Sequence, residues 1–248
     1  MKYNFIETNV DGYIFSLTLA REAKRNAFTP TMVNEIAHAL ETANSLDEVK
    51  VVVLRAKGPV FCAGMDLKTY QNPELDTLNP EINNEQVSLG EVFDRLTKPS
   101  IALVEGDVIA GGFLFILGCT YVLAKENLYF KLPEINLGIF PFQVLAGLIR
   151  VMPEKKALQL CLDGQPFPSA KALEYGIVDT ILEENTLRDL LATFEGKNTY
   201  AIQAGMEALK AIRGMDSKEQ YAYLLGCLTK LKDKEEVKTQ MEARLKKD

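Results

Sequence analysis

Apolar and polar residues alternate along the first twenty positions of the chain. Segments 5–10 and 13–19 show the two-residue period of strands, and Asp11-Gly12 between them is typical of a hairpin turn. Thr29 is typical of a helix N-cap and Pro30 of a first helical position. Beyond them, apolar residues recur at helical spacing, at Met32, Val33, Ile36, Leu40 and Ala43. The pattern predicts a hairpin followed by an amphipathic helix.

Short apolar runs and helical patterns continue along the chain. The runs predict strands at 50–55, 101–105, 121–124, 128–132 and 177–182. Helices are predicted at 87–96, at 111–119, from a Ser169 cap to Gly176, and throughout the chain from Thr186. Between these elements we expect a loop at 58–66, a glycine turn at 106–112 and a mobile acidic surface loop at 70–90.

The order of these elements predicts an α/β fold of repeated strand–strand–helix units with a helical C-terminal subdomain. No low-complexity tract or proline-rich linker divides the sequence. We therefore predict a core over residues 1–185 and a helical subdomain over residues 186–248.

Composition narrows the class of protein. With 248 residues, 47% of them hydrophobic and 25% charged, the chain can bury a sizeable core. Its 28 basic and 34 acidic residues give a net charge of −6, which argues against a nucleic-acid partner. The longest apolar-rich segment is shorter than the roughly 20 residues that span a bilayer. We expect a cytoplasmic protein with no membrane partner.

The cysteines and the histidine exclude several kinds of site. The four cysteines are widely spaced and contain no CxxC, which argues against a disulfide framework or a thiolate metal cage. His38 is the sole histidine and lies within the predicted amphipathic helix, so we expect it to be structural or on the surface. Without a second histidine, Cys62 lacks a base to activate it as a nucleophile. We expect no metal, and acid–base chemistry that rests on carboxylates, lysine, tyrosine or backbone dipoles.

Two glycine-containing segments, 61–66 and 110–112, follow predicted strands. Small residues there let backbone N–H groups point outward, and two converging donors would form an oxyanion hole. The alternative is that both segments are simply tight turns. Glu134 lies among apolar neighbours, where desolvation would raise its pKa and suit it to proton transfer. It is equally typical of a salt-bridged or helix-capping glutamate, and Lys24-Arg25 suits either a phosphate or solvated surface.

Taken together, these segments resemble the crotonase superfamily, the enoyl-CoA hydratase/isomerase family. The resemblance covers residues 5–185 and extends weakly into the helical tail. It rests on motifs standing in the family's order: Arg21-Glu22-Ala23-Lys24-Arg25-Asn26-Ala27-Phe28, Phe61-Cys62-Ala63-Gly64-Met65-Asp66-Leu67-Lys68, Gly106-Asp107-Val108-Ile109-Ala110-Gly111-Gly112, Leu132-Pro133-Glu134-Ile135-Asn136-Leu137-Gly138 and the segment 170–179.

The resemblance implies a crotonase-like spiral whose C-terminal helices help to form homotrimers or dimers of trimers. It implies acyl thioesters of coenzyme A, or of an acyl carrier protein, as ligands, with coenzyme A as part of the substrate and no separate cofactor. By motif, the N–H groups of Ala63 and Gly111 would bind the thioester oxygen, and Glu134 would be catalytic. The implied substrate-binding residues are Lys24, Arg25, Ala27, Gly64, Met65, Asp66 and Lys68.

The sequence also departs from the family pattern. Hydratases of the family carry a glutamate three residues after the middle glycine of the third motif, where this chain has Leu114. Their glycine-rich stretch after the second glutamate is replaced by the bulkier segment 140–146. A lone carboxylate favours isomerisation of 3-enoyl-CoA to 2-enoyl-CoA. The alternatives are hydration or dehydration of a CoA or carrier-protein thioester, and a non-catalytic acyl-CoA-binding protein.

Overall fold

The computed structural model describes residues 1–245 and contains two sheets surrounded by helices. The first sheet has the strand order β1 (Ile6–Asp11), β2 (Ile14–Leu19), β3 (Val51–Ala56), β5 (Ser100–Val104), β7 (Tyr121–Ala124) and β10 (Thr180–Ile181). The second has the order β4 (Val60–Cys62), β6 (Asp107–Ile109), β8 (Tyr129–Lys131) and β9 (Phe167–Pro168). Among the strand pairs within residues 1–245, only β1–β2 and β8–β9 are antiparallel.

Eleven helices are present in residues 1–245. They are α1 (Pro30–Ser45), α2 (Leu67–Gln71), α3 (Leu89–Arg95), α4 (Phe113–Gly118), α5 (Phe142–Leu148), α6 (Glu154–Asp163), α7 (Ser169–Glu174), α8 (Thr186–Glu195), α9 (Thr199–Ala211), α10 (Ser217–Lys232) and α11 (Glu235–Leu245). None of the helices described is both long and apolar enough to cross a membrane.

The predicted α/β class and strand–strand–helix units are confirmed. After the first hairpin, successive strands alternate between the two sheets, so that β3, β5 and β7 enter the first and β4, β6 and β8 the second. The N-cap prediction is also confirmed, because the Thr29 Oγ1 accepts a hydrogen bond from the Met32 N–H at 3.2 Å. Strands β4 and β6 were not predicted, since both lie in segments expected to be a loop and a glycine turn.

The main apolar core combines buried residues of both sheets with buried residues of the helices from α1 to α7. A second, smaller cluster lies around Val51, Ile101, Leu103 and Leu123 of that sheet and is covered by Phe194 of α8. The C-terminal helical segment therefore starts by packing on the sheet. Separation of the chain at residue 185 stays a prediction.

Two local expectations change. Ser169 is the first residue of α7 rather than its cap, and its Oγ donates to the Lys125 carbonyl oxygen at 2.7 Å and accepts from the Leu128 N–H. The segment expected to be a mobile loop is tied to α1. The buried Asn79 donates to the Glu35 carboxylate at 2.8 Å, and the Asp76 carboxylate accepts from the Thr31 N–H at 2.8 Å.

Candidate active site

Three loops meet at one edge of the second sheet. Strands β4, β6 and β8 are parallel neighbours, paired through Cys62 with Val108 and Val108 with Phe130. Because parallel strands end at the same edge, the residues that follow them are brought together there. These residues are the predicted segments around Ala63, Gly111 and Glu134.

The Ala63 amide cannot serve as the predicted oxyanion donor. Its N–H donates to the Arg25 carbonyl oxygen at 3.0 Å, within the packing of the 24–27 loop against the end of β4. A backbone N–H provides a single donor, so this bond leaves nothing for a ligand. The assignment of Ala63 is therefore wrong.

The Met65 amide, two residues further on, is free among the described residues instead. Met65 forms a parallel bridge with Phe28, in which the Phe28 N–H donates to the Gly64 carbonyl and the Asp66 N–H donates to the Phe28 carbonyl, each at 2.9 Å. Consecutive N–H groups of an extended segment point to opposite sides, so the Met65 N–H faces away from this bridge. A β-carbon built on Gly111 would lie 3.6 Å from the Met65 nitrogen.

The Gly111 amide is the second free donor. Gly111 lies in the first turn of the 3₁₀ segment Ala110–Gly112, where N–H groups have no partner within the helix. Within residues 1–245, neither the Gly111 N–H nor the Met65 N–H donates to a protein acceptor. The two donors lie on adjacent loops and together can bind one oxyanion.

Backbone conformation sets the direction of these donors. Ala110, just before Gly111, has a φ of 52°, which is uncommon for a residue with a side chain and costs of order 1–3 kcal/mol. Gly64 has a φ of 87°, and a β-carbon there would lie 2.8 Å from the Ala110 Cβ and 3.0 Å from the Gly111 nitrogen. A glycine at position 64 therefore keeps the space beside the Gly111 amide open.

Glu134 supplies a carboxyl group at the same edge. It opens the 3₁₀ segment Glu134–Leu137 directly after β8, and only 8% of the residue is exposed. Its Oε2 is buried without a hydrogen-bond partner among the described residues. Burial raises the pKa of Glu134 above its usual value, and a hydrogen bond from its own backbone N–H opposes this only in part. The side chain is suited to accept and return a proton.

The position that would carry a second carboxyl group is apolar. Leu114 lies in the first turn of α4, is half-buried, and lines a cavity between α3, α4 and α5. It cannot exchange a proton with a ligand. No cluster of three His, Cys, Asp or Glu side chains within residues 1–245 is arranged to bind a metal ion.

A family model described as enoyl-CoA hydratase/isomerase matches residues 10–247. The chain belongs to this family. Zebrafish (Danio rerio) enoyl-CoA hydratase domain-containing protein 3, mitochondrial, is 29% identical over 73% of this chain, and the match spans 63% of that relative, less than two thirds of its length. Hydroxycinnamoyl-CoA hydratase-lyase of Pseudomonas fluorescens is 28% identical over 90% of this chain and 84% of the relative.

Comparison with solved structures gives the same fold. The crystal structure of human enoyl coenzyme A hydratase domain-containing protein 3 has a TM-score of 0.86 at 21% identity, with 98% of each chain covered. The family match confirms the resemblance to the crotonase superfamily, and the solved structure confirms the predicted fold.

The residues expected to bind substrate in this crotonase-family chain differ in their surroundings. Lys24 and Lys68 are exposed, and neither forms an ion pair with a described residue. Arg25 is also exposed and has a φ of 51°. The half-buried Ala27 uses its carbonyl to accept a hydrogen bond from the Arg21 Nη1 at 2.7 Å. The structure therefore leaves Lys24, Arg25 and Lys68 free to reach a ligand.

The Asp66 side chain stabilises the local structure through an ion pair and a helix cap. Its carboxylate forms an ion pair with Arg21 at 2.8 Å, with 15% of each side chain exposed, and also caps α2 by accepting from the Lys68 and Thr69 N–H groups. Burial alone would raise the pKa of Asp66, but the Arg21 hydrogen bond and the two N–H donors hold that pKa below its usual value. Asp66 thus fixes the loop that presents Met65.

Sequence reasoning missed two residues that hold the site. Arg21 joins the Asp66 carboxylate to the Ala27 carbonyl. The fully buried Asn26, with a φ of 52°, donates to the carbonyls of Lys57 and Val60. Asn tolerates this left-handed conformation better than most residues, and an asparagine beside a basic pair was the available indication.

Cys62 and His38 take no part in the candidate chemistry. Cys62 is fully buried, and burial raises the pKa of its thiol to about 12, so a nucleophilic thiolate is unfavourable. A hydrogen bond of 2.8 Å joins the Nδ1 of His38 in α1 to the hydroxyl of Tyr3 in the N-terminal segment. It is structural, as expected.

Proposed function

We propose that this crotonase-family chain isomerises a 3-enoyl-CoA thioester to the 2-enoyl-CoA thioester. The observation that carries this proposal is the desolvated carboxyl group of Glu134, which lies at the same sheet edge as two free backbone donors. Leu114 provides no second acid or base. A shift of a double bond needs one group that removes a proton and returns it two carbons away, whereas hydration is easiest with two.

The reaction would proceed in two steps. The Glu134 carboxylate removes a proton from C2, and the electron pair of the C–H bond is delocalised over the former double bond and the thioester carbonyl. The resulting dienolate oxygen accepts hydrogen bonds from the N–H groups of Met65 and Gly111. Protonated Glu134 then gives the proton to C4, and the C2–C3 double bond forms. Burial of Glu134 raises its pKa towards that needed for both steps.

Hydration or dehydration is the second candidate, and the names of the relatives favour it. The Pseudomonas relative is named a hydratase-lyase, and the zebrafish relative has hydratase in its name. In that reaction Glu134 would serve both proton transfers through a bound water. A third candidate, a non-catalytic acyl-CoA-binding protein, requires only the scaffold and the thioester site.

Conjugation of the thioester distinguishes these candidates spectroscopically. The full-length protein is given 3-enoyl-CoA and, separately, 2-enoyl-CoA, and the absorbance of the conjugated thioester is followed. The isomerase produces conjugation from 3-enoyl-CoA, and E134Q abolishes this while E126Q, a change at an exposed glutamate, does not. Loss of conjugation from 2-enoyl-CoA with no reaction of 3-enoyl-CoA would establish the hydratase. Tight binding without turnover of either would establish the binding protein.

Exposed basic residues support binding of the coenzyme A phosphates. Lys24, Arg25 and Lys68 are exposed around the 24–27 and 65–68 loops that frame the site. We propose that they contact the nucleotide part of the substrate. Substitution of Lys24 with Ala is expected to raise the KM for the CoA thioester more than kcat changes, and to weaken the salt dependence of binding.

A homotrimer or a dimer of trimers is the proposed assembly. Helix α10 has no buried residue, and it exposes 76% of Tyr221 and 66% of Leu225 to solvent in the isolated chain. Such apolar exposure on one helix favours contact with another copy. Sedimentation equilibrium of the full-length protein tests this, and a monomer at micromolar concentration would contradict it.

A further inference from the structure

A cavity of about 240 Å³ lies between α3, α4 and α5, beyond the residues assigned to chemistry. This is far larger than the roughly 15 Å³ that one water molecule requires. Helices α4 and α5 lie close together beside this cavity, as shown by the 3.0 Å that would separate a β-carbon on Gly147 from the Leu117 side chain. Phe93, Leu114, Leu117 and Ala146 supply its apolar wall.

The cavity adjoins the candidate active site through Leu114. This residue lines the cavity and follows Gly111 by three positions, about one helical turn. Helix α5, which forms another wall, begins eight residues after Glu134. An acyl chain whose thioester oxygen is bound at Gly111 can therefore extend past Leu114 into this space.

The rest of the cavity lining is polar and includes the Glu91 and Asp94 carboxylates as well as the donors of Gln143 and Arg150. Gln143 is exposed, and its side chain forms no hydrogen bond with a described residue. Arg150 reaches the Asp94 carboxylate through Nη1 at 3.3 Å and Nη2 at 3.5 Å, and Arg213 reaches the same carboxylate at 3.2 Å. Two guanidinium groups thus share one carboxylate, which leaves donors unused because each guanidinium carries five N–H groups.

We propose that this cavity binds the distal part of the acyl group and selects chains that end in an oxygen-bearing group, a hydroxyl or a carboxylate. Gln143 and Arg150 donate to that oxygen, while the apolar wall covers the carbons before it. A chain ending in a methyl group would desolvate both donors without replacing their hydrogen bonds to water. This inference rests on the proposed function, because it assumes that the site binds an acyl thioester.

Saturated thioesters separate this inference from the chemistry, since they bind without reacting. Calorimetry of the full-length protein compares hexanoyl-CoA with 6-hydroxyhexanoyl-CoA and adipoyl-CoA, which differ at the chain end alone. We expect at least one of the two oxygen-bearing ligands to bind about tenfold more tightly than hexanoyl-CoA. Loss of the hydroxyl preference in Q143L, or of the carboxylate preference in R150L, assigns the donor.

R213L is the matched control. It removes the other guanidinium that contacts Asp94, but Arg213 does not line the cavity, so the preference should persist. The inference would be overturned, and the proposed function left standing, by any of three results: equal affinity for all three ligands, tighter binding of hexanoyl-CoA, or a preference that is unchanged in both Q143L and R150L. Failure of all three thioesters to bind would overturn the proposed function and this inference with it.

Discussion

Substitution of Gly64 with Ala tests the proposal that the Met65 and Gly111 N–H groups together bind the oxyanion. The new Cβ would lie 2.8 Å from the Ala110 Cβ and 3.0 Å from the Gly111 nitrogen, so the loop that carries Met65 or the loop that carries Gly111 must shift. The φ of 87° adds a backbone penalty of roughly 1–2 kcal/mol for any residue with a side chain. The variant combines strain with displacement of the donors.

Gly214 provides a control with the same strain and no displacement. Its φ is 85°, and a β-carbon there would meet nothing within 4 Å. G214A and G64A should therefore lose comparable backbone stability, while G64A alone moves a donor. Loss of one oxyanion donor lowers kcat by about 10²–10³-fold.

The assay pairs urea unfolding of both variants with turnover of the thioester that the wild type converts. We expect both variants to fold, and G64A to be slower than G214A by at least about 10²-fold in kcat. A folded G64A that turns over at the G214A rate would refute the assignment of the Met65 and Gly111 amides.

Three further outcomes are expected. Because the pKa of Glu134 is raised, the folded protein binds the Glu134 proton more tightly than the unfolded chain does, and this stabilisation is lost as pH rises through the raised pKa. The unfolding free energy of E134Q should therefore exceed that of the wild type at neutral pH but not in acid. A difference between the two that does not depend on pH would contradict this. L114E should gain hydration of 2-enoyl-CoA, and a folded, ligand-binding variant with no gain would show that cavity shape is limiting. D66A should lose about 1 kcal/mol of unfolding free energy in urea through the lost α2 cap, and unchanged stability would contradict the cap.

Much of the fold follows from periodicity. The hairpin, α1 and the strands β3, β5 and β7 have enough residues for a pattern to emerge. Strands β4 and β6 have three residues each, too few to show alternation, and their position is set by pairing with each other and with β8. Sequence alone could not reveal that these strands form a second sheet whose edge assembles the site.

The sequence placed only part of the candidate site, and the roles of its residues stay predictions. Glu134 and Gly111 lie where the motifs placed them, at one sheet edge. The other donor is Met65, two residues after the predicted Ala63, because Gly64 between them has a φ of 87° and interrupts the extended backbone. The contacts of Arg25 with Ala63 and of Phe28 with the residues around Met65 decide this, and both are long-range contacts that local sequence does not encode.

The fate of the C2 hydrogen tests the shuttle by Glu134 most directly. A 3-enoyl-CoA carrying deuterium at C2 is converted in ordinary water, and the deuterium at C4 of the product is measured by NMR. Because Glu134 is buried and its Oε2 has no partner among the described residues, exchange of the transferred deuteron with water should be slow. The account predicts that part of the deuterium appears at C4; conjugated product with none there would contradict it.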